Sequence, residues 1–91
     1  MKTIYITKFL SIQEKLDKTT LKINGKTPIE DRISIYNNFN DNKIKKMSIT
    51  ENIVAMGGVR YKENGLEINV VFLDELTDDR KRLILSRMNI Q

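Results

Sequence analysis

The spacing of apolar residues changes period several times along the chain, and each change marks an element. Ile4-Tyr5-Ile6 is a short β-favouring run, and Phe9, Ile12 and Leu16 follow at helical spacing with Glu14, Lys15 and Lys18 on other faces. A strand over 3–7 and a helix over 9–17 are predicted. Leu21-Lys22-Ile23-Asn24 alternates with period two and stops at Gly25. Thr27-Pro28-Ile29-Glu30 then reads as a helix start. Thr27 is placed to cap, Pro28 loses nothing at the first helical position, and Glu30 stands where a capping box needs its acid. Ile29, Ile33 and Tyr36 fall on one face of a helix over 28–39, which Asn37, Asn38, Asn40, Asp41 and Asn42 terminate.

Residues 44–49 form a weaker strand pattern, and 50–56 a helical turn that ends at Gly57-Gly58. Asn64-Gly65 is a tight-turn signal between Val59-Arg60-Tyr61 and the run from Leu66 to Leu73, so a hairpin is an expectation. Ile68-Asn69-Val70-Val71-Phe72-Leu73 is nearly all apolar, which suits a strand covered on both faces. Thr77, Asp78 and Asp79 open a last helix whose positive end the carboxylates favour, with Leu83, Ile84 and Met88 on its buried side. Phe9, Tyr36, Phe39 and Phe72 are core candidates, leaving Tyr5 and Tyr61 as the aromatics for base stacking. Strands alternating with helices predict an α/β domain over 1–91: a small parallel sheet of about four strands with helices on both faces. Its expected pairings set Ile4-Tyr5-Ile6 beside Leu21-Lys22-Ile23, and Lys46-Met47-Ser48 beside Val70-Val71-Phe72.

Composition narrows the chemistry. The 91 residues hold no Cys and no His, which removes disulfides, thiol nucleophiles, imidazole bases and the zinc sites built on them. No apolar run approaches the roughly 20 residues that span a bilayer, and Met1 to Lys8 lacks the apolar centre of a leader, so a cytoplasmic protein without a membrane partner is expected. Sixteen Lys and Arg against 12 Asp and Glu leave a charge of +4, a mild bias toward polyanions. Asn, Ile and Lys are abundant, as in the product of an AT-rich bacterial or phage genome. Asp74, Glu75, Asp78 and Asp79 read as solvated helix-start charges, and neither a metal nor a cofactor is expected.

Leu21-Lys22-Ile23-Asn24-Gly25-Lys26-Thr27-Pro28-Ile29-Glu30-Asp31-Arg32, followed by Ile35 and Phe39, resembles the strand, G-x-T-x-x-x-x-R and helix of the second RecA-like lobe of superfamily 2 helicases, above all the Swi/Snf-like branch. Ser48-Ile49-Thr50 with Ala55-Met56-Gly57-Gly58-Val59 is similar to motif V of that lobe. Val70 to Asp74 is similar to the next core strand, and Ile4 to Leu16 to the opening strand and helix. The resemblance implies backbone-phosphate contact through Lys45, Lys46, Ser48, Thr50, Gly57, Gly58 and Arg60, with Lys43 and Lys62 flanking them. Arg32 and Arg87 are candidates for a nucleotide or partner contact.

The sequence departs from the family where catalysis is concerned. The closing Q-x-x-G-R-x-x-R helix keeps only Arg87, with Leu83 for the Gln and Ile90 for the second Arg. Gly25-Lys26-Thr27 mimics the end of a Walker A motif, but Thr20 stands where its upstream Gly belongs. The chain is therefore expected not to hydrolyse ATP by itself. It would serve as an accessory or inhibitory lobe that binds nucleic acid, a helicase partner or a host enzyme, or as half of a split helicase. The alternative is an α+β winged-helix DNA-binding regulator that inserts 49–57 into the major groove and lays the Asn64-Gly65 hairpin on phosphate. Residues 49–56 carry one Glu and no Lys or Arg, a poor complement to DNA.

Overall fold

The computed structural model describes residues 1–90. The elements run β1 (Lys2–Thr7), α1 (Leu10–Glu14), β2 (Leu21–Ile23), α2 (Ile29–Asn40), β3 (Lys46–Thr50), α3 (Glu51–Met56), β4 (Ile68–Phe72) and α4 (Asp78–Arg87). All four strands are parallel, in the order β2-β3-β1-β4. The parallel sheet agrees with the sequence pattern, but the neighbours differ from those expected. β1 pairs with β3 (Ile4 opposite Met47, Ile6 opposite Ile49) and with β4 (Ile4 opposite Val70), while β2 pairs only with β3. The most completely buried pair of strands is thus the central one, although β4 is the more apolar in sequence. Ile4, Ile6, Met47 and Ile49 are all buried to within 1% of their surface, and each fully buried aliphatic side chain contributes about 1.5–3 kcal/mol. β2, with Leu21 exposed, and β4, with Asn69 exposed, are left at the edges. β4 is accordingly half-buried rather than covered on both faces.

The connection β1-α1-β2 passes β3 in one direction, and β3-α3-β4 passes β1 in the other. Right-handed crossovers then put α1 on one face and α2 and α3 on the opposite one. The side chains agree. Phe39 of α2, Ile53 and Val54 of α3, and Ile84 and Met88 at the end of α4 join Ile4, Ile6, Ile23, Met47 and Ile49 in one core. On the other face α1 buries Gln13, whose Nε2 donates to the Ile23 carbonyl at 3.0 Å and the Ser48 hydroxyl at 3.1 Å.

Several local expectations are corrected. Helix α1 stops at Glu14 because Asp17 takes up the backbone N–H groups of Thr19 and Thr20 in a turn toward β2. Phe9, extended at the helix start, is left 53% exposed. Thr27 forms no capping box. Its hydroxyl accepts from the Asn24 N–H and donates to the Lys22 carbonyl, which commits it to the loop, and Pro28 starts α2 without a side-chain cap. The inner face of α2 turns on Ile35, Tyr36 and Phe39, leaving Ile29 and Ile33 in solvent. Thr77 does cap α4, accepting from the Arg80 N–H, but Leu83 lies on the outside of that helix. No hairpin forms before β4. Val59 and Tyr61 are drawn into the core, and the Tyr61 N–H bonds the Met88 carbonyl at 2.8 Å, so the segment is spent on packing rather than pairing. An all-parallel sheet without that hairpin excludes the winged helix.

Lys2 carries a core contact that hydrophobicity could not reveal. It is fully buried, its Nζ donates to the Phe39 carbonyl at 2.8 Å, and it lies 4.8 Å and 4.9 Å from the ring centres of Phe39 and Tyr61. A cation thus satisfies a carbonyl in the last turn of α2 and rests on two aromatic faces. Burial pushes its ammonium below the usual lysine range, and nearby Lys45 adds to this.

Lys2→Ala should cost about 2–3 kcal/mol in urea unfolding, since it leaves a buried carbonyl unpaired and a void beside Phe39. Asp17 sets the pH response at the opposite face. The Thr19 hydroxyl, then the Lys46 ammonium, hold its carboxyl well below the ordinary value of 3.8. A depressed pKa means that the folded state releases the proton more readily than the unfolded chain. The stabilisation is therefore complete above pH 3.8 and lost as pH falls below it. Thermal unfolding should show wild type above Asp17→Asn at pH 7, with the gap closing under acid.

Candidate functional site

Four parallel strands deliver all their carboxyl ends to one side of the sheet. β1 and β3 are neighbours whose following helices leave toward opposite faces, which opens a crevice between the loops that follow them. A cavity of about 550 Å³ occupies that place. Lys8 lines it from the loop after β1, Leu10 from the start of α1, Asn24, Gly25 and Lys26 from the loop after β2, Thr50 and Glu51 from the junction of β3 and α3, and Arg80 from α4.

Hydrogen bonds hold each wall. Asp74, just beyond β4, accepts the Thr7 hydroxyl at 2.7 Å and the Lys8 N–H at 2.6 Å, and the Phe9 N–H returns to the Thr7 hydroxyl at 3.1 Å. The side of the cavity carrying Lys8 is thereby tied to two strands. Arg32 braces the next wall, with Nε donating to the Thr27 carbonyl at 2.7 Å. This arginine orders the Gly25–Thr27 loop. The Asn24 side chain reaches Gln13 Oε1 at 2.9 Å, which links the same loop to α1. On the third wall Arg80 Nε lies 3.3 Å from Glu51 Oε1. Glu51 is only 6% exposed, and its second carboxylate oxygen has no hydrogen-bond partner. Three cations, Lys8, Lys26 and Arg80, thus line the cavity with one buried carboxylate, which only Arg80 contacts, so its wall carries a net positive charge.

The residues singled out from the sequence divide into separate places. Gly57, Gly58, Arg60 and Arg87 share a shallow hollow of about 290 Å³ between the end of α3 and α4. Thr50 lines the carboxyl-end cavity, but its hydroxyl is engaged with Asn52 Oδ1. Ser48 is fully buried against Gln13 in the middle of β3. Lys45 and Lys46 lie at the opposite end of that strand, Lys45 on the Asn42 carbonyl and Lys46 on Asp17 at 3.3 Å. Tyr61 is buried in the core. Among the described residues no group of three or more acidic side chains is placed to hold a metal ion. Lys8, Glu51 and Arg80 belong to no motif, and Lys26 stood out only within the discounted Gly25-Lys26-Thr27 mimic. Position was the available signal, since Lys8, Lys26 and Glu51 each come within three residues of a strand's carboxyl end.

A solved structure, described as the C-terminal part of the Fun30 ATPase domain, superposes on this chain with a TM-score of 0.70 over 96% of its length, at 19% identity. The fold is that of a RecA-like helicase lobe. The lobe spans about 30% of the Fun30 chain it matches. No protein-family model matches the sequence, and neither does any curated protein.

Gly57 tests the backbone on which the second hollow rests. It adopts φ 83° and ψ −177°, a conformation closed to side chains with a β-carbon, although the space around it is open. Gly57→Ala should therefore lose about 1–3 kcal/mol of folding stability to backbone strain, read by chemical denaturation.

Proposed function

We propose that this lobe binds nucleic acid through the phosphate backbone at its carboxyl-end cavity, as an accessory or inhibitory subunit without an ATPase site of its own. The observation that carries the reading is the convergence of Lys8, Lys26 and Arg80, from three different elements, on one cavity at the switch point of a parallel sheet. Phosphate oxygens need cations that can be approached together, and Lys8 and Lys26 are exposed while their loops are held by Asp74 and Arg32. The departures of Leu83 and Ile90 from the arginine-bearing helix support a role apart from hydrolysis.

A second reading makes the lobe half of a split helicase, with Arg87 facing a nucleotide held by another chain. The shared hollow of Gly57, Gly58, Arg60 and Arg87 favours it, because it joins a glycine turn and two guanidinium groups.

Fluorescence anisotropy with a single-stranded oligonucleotide over a salt series tests the first reading. Each phosphate contact to a single strand contributes about 0.7 to the slope of log K against log salt, so Lys8→Ala/Lys26→Ala should lower the slope by roughly 1.4. Lys45→Ala, at the other end of the sheet, should leave binding unchanged. Unaltered binding by the double variant, or loss confined to Lys45→Ala, would refute the assignment to this cavity.

A further inference from the structure

We infer that Asn64-Gly65 is a site of spontaneous deamidation, an ageing reaction that loosens the tie between the end of α2 and the segment leading into β4. The inference is independent of the nucleic-acid reading.

Asparagine precedes glycine twice in the chain, at Asn24-Gly25 and at Asn64-Gly65. In such a pair the glycine nitrogen can attack the asparagine Cγ, because the glycine carries no β-carbon to obstruct the approach. The nitrogen gives up its proton, the Cγ–Nδ2 bond breaks, and ammonia carries that proton away. Water then opens the cyclic imide at one carbonyl to give aspartate, or at the other to give isoaspartate. Neither glycine N–H donates a hydrogen bond among the described residues, and the space around both glycines is open. What separates the two sites is therefore the hold on the asparagine.

Asn24 is clamped. Its Nδ2 donates to Gln13 Oε1 at 2.9 Å, its Oδ1 accepts the Lys26 N–H at 2.8 Å, and its own N–H and carbonyl both engage Thr27. Gln13 is itself buried and bonded to the Ile23 carbonyl and the Ser48 hydroxyl. Turning the Asn24 carboxamide onto Gly25 breaks both side-chain bonds. Asn64 is exposed, next to a glycine at φ 82°, and its side chain makes a single bond, from Nδ2 to the Asn40 carbonyl at 3.3 Å. That bond is what the reaction removes. Asn40, the last residue of α2, gathers the segment before β4 through three contacts: its Nδ2 donates to the Arg60 carbonyl at 3.0 Å, its Oδ1 accepts the Lys62 N–H at 3.1 Å, and its carbonyl accepts from Asn64. Deamidation replaces the third donor by a carboxylate facing a carbonyl. The isoaspartate form also lengthens the main chain beside the Asn64 carbonyl, which accepts from Asn42 Nδ2 at 2.7 Å.

The test incubates the full chain in heavy-oxygen water at neutral pH, folded and in urea, and maps by peptide mass where the label enters. In the folded chain Asn64 should convert about tenfold faster than Asn24, the margin that an additional hydrogen bond on the Asn24 carboxamide provides. In urea, where the clamp is gone, the two rates should converge. Converted chain, separated from fresh chain by ion exchange through its added negative charge, should unfold at a lower urea concentration. Conversion of Asn24 as fast as Asn64 in the folded chain, or reaction of both only in urea, overturns the assignment. Equal unfolding midpoints for converted and fresh chain overturn the loosening.

Discussion

Parallel pairing of β1 with β3 on one side and β4 on the other is the constraint on which the rest of the molecule depends. It seats Ile4 and Ile6 opposite Met47 and Ile49, and these four residues form the floor against which α2, α3 and α4 pack. Because neighbouring parallel strands cannot be joined by a tight turn, each strand must be followed by a crossover. The crossovers from β1 and β3 leave in opposite directions, and the loops after β1, β2 and β3 are brought together as a consequence. The cavity with Lys8, Lys26, Glu51 and Arg80 is a product of that topology, not of any contiguous motif.

The two faces of the sheet are stabilised differently. One holds a continuous apolar core with a single buried cation, Lys2, whose ammonium is answered by a helix-end carbonyl and two aromatic rings. The other is sealed by one short helix and polar contacts, in which Gln13 bridges β2, β3 and the Asn24 loop, and Asp17 ties the turn before β2 to Lys46. The polar face is thus joined to the loop carrying Lys26 through directional hydrogen bonds. Asp74 does the same for Lys8 from the far side of the sheet. The walls of the cavity are held by bonds reaching back to β1, β2 and α1, which fixes the loops from which its exposed lysines project.

Much of this was legible in the chain. The alternation of strand and helix patterns, the caps at Thr77 and the Asn-rich stop after α2 follow from local spacing and backbone chemistry, and they lead to a parallel α/β lobe. The resemblance of Leu21–Arg32 and Ser48–Val59 to a helicase lobe pointed to the same architecture that the superposition displays. Which side chains meet was less legible. Ile29, Ile33, Phe9 and Leu83 have apolar side chains at helical spacing and remain exposed, because the inner face of a helix is chosen by what it packs on. Val59 and Tyr61 looked like half of a hairpin and became core, because they pack with Phe39 and Met88 instead of pairing with the free outer edge of β4.

The sequence by itself determined the element order, the parallel class of the sheet and the absence of thiol and imidazole chemistry, since these depend on residue type and near-neighbour spacing. Only the tertiary structure decided that β3 lies between β1 and β2, that Lys2 is interior while Lys8 is exposed, and that Glu51 is buried beside Arg80. Those outcomes arise from contacts between residues tens of positions apart. The free energy of such contacts belongs to the packed arrangement as a whole and leaves no periodic trace along the chain.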